Sequence, residues 1–99
     1  MKYFVAESVM VSPLPCTAEE LKTIHLPAHV EHLQGGLKTG MLLVGGPNES
    51  GGGYLLLRGE SREEVEAFLA RDPYQLHKLN RFILKEYFPT ERSEMVKDW

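Results

Sequence analysis

Two capping boxes, Thr17 with Glu20 and Ser61 with Glu64, divide this chain. In each, a hydroxyl side chain precedes a glutamate by three residues, the pattern that satisfies the free amides at a helix start. Between the boxes lies Asn48-Glu49-Ser50-Gly51-Gly52-Gly53, too rich in glycine for anything but a turn. Two helix starts around one hairpin turn leave few possible architectures.

The segments between these markers read as strands. Tyr3 to Val11 is rich in Val and aromatic residues, with Tyr3, Val5, Val9 and Val11 on one face and Glu7 among them. Ser12-Pro13-Leu14-Pro15-Cys16 ends it, since prolines donate no ladder hydrogen bonds. Met41 to Val44 and Tyr54 to Arg58 form the arms of the hairpin, and Arg81 to Phe88 a last strand. The first helix carries Leu21, Ile24, Ala28, Leu33 and Leu37 at helical spacing. Pro27 predicts a kink or break near His25–Leu26, and Gly40 the C-terminal stop. The second helix places Val65, Phe68 and Leu69 inward and ends near Arg71. Asp72-Pro73-Tyr74 reads as a turn. Thr90 to Trp99 forms an arm of no clear period, either docked through Trp99 or swapped onto a neighbouring subunit.

The order β-α-β-β-α-β is the ferredoxin-like α+β arrangement, with two helices on one face of a four-stranded antiparallel sheet. At 99 residues the chain suits a single domain spanning 1–99, with no internal repeat. One sheet face is left for another layer, and a second copy of the same sheet would cover it in a homodimer. Net charge is −3 with the basic residues scattered, so nucleic acid is not an expected partner. No apolar run approaches the length of about 20 residues that crosses a bilayer. Met1-Lys2-Tyr3-Phe4-Val5 does not read as a signal peptide. The lone Cys16 allows no internal disulfide and suits a reducing cytoplasm.

Two groups of residues have chemical potential. His25, His29 and His32 are spaced four and three apart and would share a face of an unbroken helix, as in a zinc site. Pro27 disturbs that register and no Asp or Cys sits at ligand spacing, so the expectation is no metal, with His29 turned inward and His25 and His32 at the surface. Asp72 has two readings: a carboxylate capping its own turn, or one orienting an imidazole. In a β-α-β-β-α-β fold the turn leaving the second helix can approach the middle of the first, where His29 sits. Tyr74 is close enough to Asp72 to reach a shared pocket. The glycine turn lacks the Lys-Ser/Thr of a phosphate loop and leads into a strand.

Three segments resemble the YCII-like proteins. Pro27-Ala28-His29-Val30-Glu31-His32-Leu33 is similar to that family's Pro-x-His-Leu-x-Tyr-Leu signature. Gly40-Met41-Leu42-Leu43 followed by Gly46-Pro47 resembles its Gly-x-Leu-x-x-x-Gly-Pro segment, and Asp72-Pro73-Tyr74 its Asp-Pro-Phe/Tyr turn. The resemblance implies a dimeric α/β barrel, in which two sheets pack face to face, and a His–Asp pair carried by His29 and Asp72. His32, Tyr74, Glu7 and Ser50 are then the expected substrate-binding residues. The chain departs from the pattern at Leu26, where many members have Arg, at His32, which replaces an aromatic Tyr, and in its long proline-rich segment before the helix. A recognised activity in the family is dehydrochlorination of a chlorinated hydroxyhydroquinone, and similar-looking muconolactone isomerases shift protons on a related catabolite. The resemblance therefore implies a cofactor-free acid–base enzyme of lyase or isomerase type. A non-catalytic module binding a small molecule in the same pocket is the alternative.

Overall fold

The structure, a computed structural model, describes all residues from 1 to 99. Strand β1 (Lys2–Met10) is followed by the short helix α1 (Ala18–Glu20), a π-helical turn over Leu21–His25 and helix α2 (Leu26–Thr39). Then come strands β2 (Leu42–Pro47) and β3 (Gly53–Gly59), helices α3 (Arg62–Ala70) and α4 (Pro73–Leu76), and strand β4 (Asn80–Tyr87). The four strands form one antiparallel sheet in the order β2-β3-β1-β4, which is the ferredoxin-like topology.

Both expected caps start helices, the first as a full capping box and the second through its serine alone, since the Glu64 carboxylate accepts from the Glu60 amide at 2.8 Å. Thr17 Oγ1 accepts from the Glu20 amide at 3.0 Å while the Glu20 carboxylate accepts from the Thr17 amide at 2.9 Å. Ser61 Oγ accepts from the Glu64 amide at 3.2 Å. Pro27 does not break the first helix. The turn before it widens instead, with the Leu26 amide bonded to the Leu21 carbonyl five residues back, and the chain passes directly into α2. Gly40 terminates α2 at φ 81°, a left-handed conformation that is inexpensive only for glycine.

Asp72-Pro73-Tyr74 is more than a turn. Pro73 occupies the first position of α4, where its missing amide hydrogen is no loss, and Asp72 is the N-cap.

Strand alternation separates two faces of the sheet. Phe4, Ala6 and Ser8 of β1 point toward the helices with Leu55 and Leu57 of β3. Tyr3, Val5, Glu7 and Val9 point the other way. The core lies between the sheet and α3, where Phe4, Leu57 and Val65 are sealed from solvent and Phe68, Leu69 and Leu42 nearly so. The C-terminal arm folds back on its own chain. Trp99 Nε1 donates to the Gly40 carbonyl at 3.0 Å, the Tyr3 hydroxyl donates to the Trp99 carbonyl at 2.9 Å, and the Arg58 guanidinium lies over the indole. No helix is long and apolar enough to cross a membrane.

Candidate active site

A cavity of about 530 Å³ opens between α2 and the sheet. Its roof is the apolar stripe Leu26, Val30, Leu33 and Leu37, residues spaced three or four apart on one side of α2. Its floor is Ser8 and Met10 of β1, Leu55 of β3 and Phe82 of β4. One wall is nearly bare backbone, made by Gly45-Gly46-Pro47 and Gly51-Gly52-Gly53 of the hairpin. Gly52 lies so close to β1 that a Cβ there would sit 1.9 Å from the Ser8 carbonyl oxygen, so only glycine lets the hairpin tip close down on the cavity.

At the other end stand His29 and Tyr74. His29 Nδ1 lies 2.8 Å from both carboxylate oxygens of Asp72. Asp72 is sealed from solvent, at 0% exposure, and Oδ1 also accepts the Tyr74 amide at 3.0 Å. The two sequence readings of Asp72 thus hold together: the same carboxylate caps α4 and binds the imidazole. The cap also fixes the carboxylate in position where it meets the imidazole. An acceptor-only carboxylate at Nδ1 requires the proton to be on that nitrogen. Nε2 is left basic, has no protein partner and is not sealed off. The Tyr74 ring stacks flat on the imidazole, with centroids 4.0 Å apart and planes inclined by 4°. Burial pushes the Tyr74 phenol pKa up and the Asp72 carboxylate adds to it, so the hydroxyl stays protonated.

The remaining histidines are engaged elsewhere. His32 stacks on Phe68 and donates from Nε2 to the Phe68 carbonyl at 2.8 Å, tying α2 to α3. It is absent from the cavity lining, so it is not placed to contact a guest there. His25 packs against the His77 ring, with centroids 4.6 Å apart. The three imidazoles of the first helix do not converge on a common point.

Two further expected site residues also lie apart from the cavity. Glu7 is on the outer sheet face between Tyr54 of β3 and Ile83 of β4, because neighbours of the cavity-lining Ser8 must point the opposite way. Ser50 is exposed at the hairpin tip, where its amide donates to Asn48 Oδ1 at 2.9 Å, while the glycines after it line the cavity. The sequence reading passed over Ser8 and Asn80. Both are buried, and Asn80 Nδ2 donates to Ser8 Oγ at 2.7 Å. The signal was present, since Ser8 continues the buried alternation Phe4, Ala6 with a hydroxyl.

No protein-family model and no curated protein matches the chain. A solved structure does: over 87% of this chain and 93% of the other, the fold superposes with a TM-score of 0.67 and 20% identity on 5-chloro-2-hydroxyhydroquinone dehydrochlorinase (TftG) from Burkholderia phenoliruptrix AC1100, in complex with 2,5-dihydroxybenzoquinone. The ferredoxin-like α+β fold read from the strand order is therefore also the fold of a small-molecule enzyme.

Proposed function

We propose that this protein is a cofactor-free acid–base enzyme of the lyase type, acting on a small aromatic-derived catabolite, with dehydrochlorination of a chlorinated hydroxyhydroquinone as the specific reaction. The observation that carries this reading is the His29–Asp72 contact at the edge of an apolar cavity of about 530 Å³. A cavity of that size suits one substituted ring. The fold likeness to a dehydrochlorinase agrees with it.

His29 serves as the base and Asp72 as the group that holds its tautomer and orientation. Nε2 takes the proton of a ring hydroxyl beside the chlorinated carbon. The electron pair moves into the ring and the chlorinated carbon takes up a proton, returned by His29 or supplied by Tyr74. The hydroxyl para to the first then loses its proton to solvent. Its electron pair passes through the ring and expels chloride, leaving a hydroxybenzoquinone. Two O–H protons are lost, one C–H bond is gained and HCl leaves, so no external oxidant or reductant is needed. The Tyr74 ring covers one face of the imidazole and fixes the plane in which Nε2 lies.

The test is turnover of 5-chloro-2-hydroxyhydroquinone, followed by quinone absorbance and chloride release. His29→Ala and Asp72→Asn should each lower kcat by about a hundredfold or more, the scale of acid–base groups. Wild-type rates in both variants would end the proposal. Tight binding without conversion would identify a binding module instead.

The working unit in this reading is a cytoplasmic homodimer. Support comes from the outer sheet face, where Val44 and Tyr54 are more than half exposed and Ile83 is 38% exposed beside Val5 and Leu56. Light scattering on the purified protein gives the mass directly, and a monomer at micromolar concentration would remove this element.

A further inference from the structure

The cavity floor carries one polar side chain from the sheet, and its surroundings are unusual. Ser8 lies on the face of β1 that otherwise buries Phe4 and Ala6. It is 7% exposed and lines the cavity. Asn80, across the β1–β4 ladder and 3% exposed, donates from Nδ2 to Ser8 Oγ at 2.7 Å. Asn80 Oδ1 is the one buried side-chain polar atom without a partner. Burying an amide with half its capacity unmet is unfavourable, and an apolar pair would fill the same sheet positions without that penalty. The pair has a consequence that offsets this. Because Ser8 Oγ already accepts from Asn80, its own proton is free to be donated, and the cavity is where Ser8 is accessible.

We propose that Ser8 is a substrate-binding residue that donates a hydrogen bond to a second ring oxygen, with Asn80 as the residue that positions its hydroxyl. His29 stands on the helix side of the cavity and Ser8 on the sheet side, so a ring held between them is gripped at two oxygens at once. The substrate class that follows is a ring with oxygens at opposed positions, a hydroquinone or quinone, rather than a simple phenol. This rests on the acid–base reading of the same cavity and sharpens it. The para hydroxyl must lose its proton before its electron pair can expel chloride, and a donor at that oxygen stabilises the negative charge left when the proton goes.

Binding of hydroquinone and of phenol, measured by calorimetry on the full-length protein, tests the assignment apart from catalysis. The wild type should prefer hydroquinone by about tenfold, the scale of one well-placed hydrogen bond. Ser8→Ala should abolish the preference while leaving phenol binding unchanged, and Ser8→Thr should restore it. Since Ser8→Ala alone orphans the second polar atom of Asn80, the double variant Ser8→Ala/Asn80→Leu, which removes both partners together, provides a second route to the same readout. No preference in the wild type, or an equal loss for both compounds in the variants, overturns the proposal. If hydroquinone preference depends on Ser8 but chlorinated substrate is not turned over, the site assignment stands and the catalytic reading fails.

Discussion

The two helices lie on the same sheet and treat it in opposite ways. Helix α3 presses Val65, Phe68 and Leu69 onto Phe4 and Leu57, and that half of the molecule is sealed. Helix α2 brings a comparable apolar stripe but leaves Leu26, Val30 and Leu37 each more than 40% exposed over a hollow. Apolar pattern alone does not distinguish a helix that packs from a helix that roofs a cavity. The difference lies in what faces it. Under α3 the sheet offers large side chains, whereas beside α2 the hairpin offers glycine.

Truncation in the sealed half gives the largest expected effect. Phe68→Ala should destabilise the fold by about 3–5 kcal/mol, since the phenyl ring lies in closed packing and leaves a void. Denaturant unfolding measures this, and a loss below about 1 kcal/mol would erase the contrast between the halves. Filling the hollow comes next. A Cβ at Gly45 would meet the movable Leu55 Cδ2 at 2.5 Å, on the side of β2 that faces the cavity. Gly45→Val should therefore lower affinity for hydroquinone about tenfold or more while shifting stability by only about 1 kcal/mol, within the range of ordinary substitutions. Retained affinity would mean that the glycine wall does not shape the site.

Val30→Ala in the cavity roof should change stability by no more than about 0.5 kcal/mol, the usual range where packing is open. A cost like that of Phe68→Ala would show that the roof is packed in solution. The smallest effect concerns the start of α1. The Thr17 amide, and then the Thr17 hydroxyl, hold the Glu20 carboxyl below the ordinary glutamate range. A carboxyl lowered in the folded state adds stability above its unfolded pKa and loses it as pH falls through the folded one. The stability gap between wild type and Glu20→Gln should therefore be present near neutral pH and close in acid. A gap independent of pH would remove the capping carboxylate as its cause.

Much of the architecture was readable along the chain because its causes are local. A capping box involves four consecutive residues, and the glycine turn marks the hairpin by composition. Pro27 marked the place of an irregularity, a kink or a break near His25–Leu26, and the structure has a widened turn over Leu21–His25 there with the helix continuing to Thr39. The dyad was legible only in part. His29 and Asp72 could be named from motif resemblance, but 43 positions separate them and their 2.8 Å contact depends on how α2 and α4 pack.

Glu7 and Ser50 show the limit from the other side. Each is next in sequence to a residue that lines the cavity, Ser8 or Gly51, and does not line it itself. On a strand, one step along the chain reverses the direction of the side chain.

The sequence by itself determined the order of elements, the helix starts and the hairpin, because each follows from residues in contact with their own neighbours. Tertiary structure decided which apolar stripe would be buried and which left over a space, that one carboxylate would both cap a helix and hold an imidazole, and that Ser8 rather than Glu7 would face the cavity. A cavity is the gap between elements distant in sequence, and its shape is set by how closely their backbones approach, which no local pattern records.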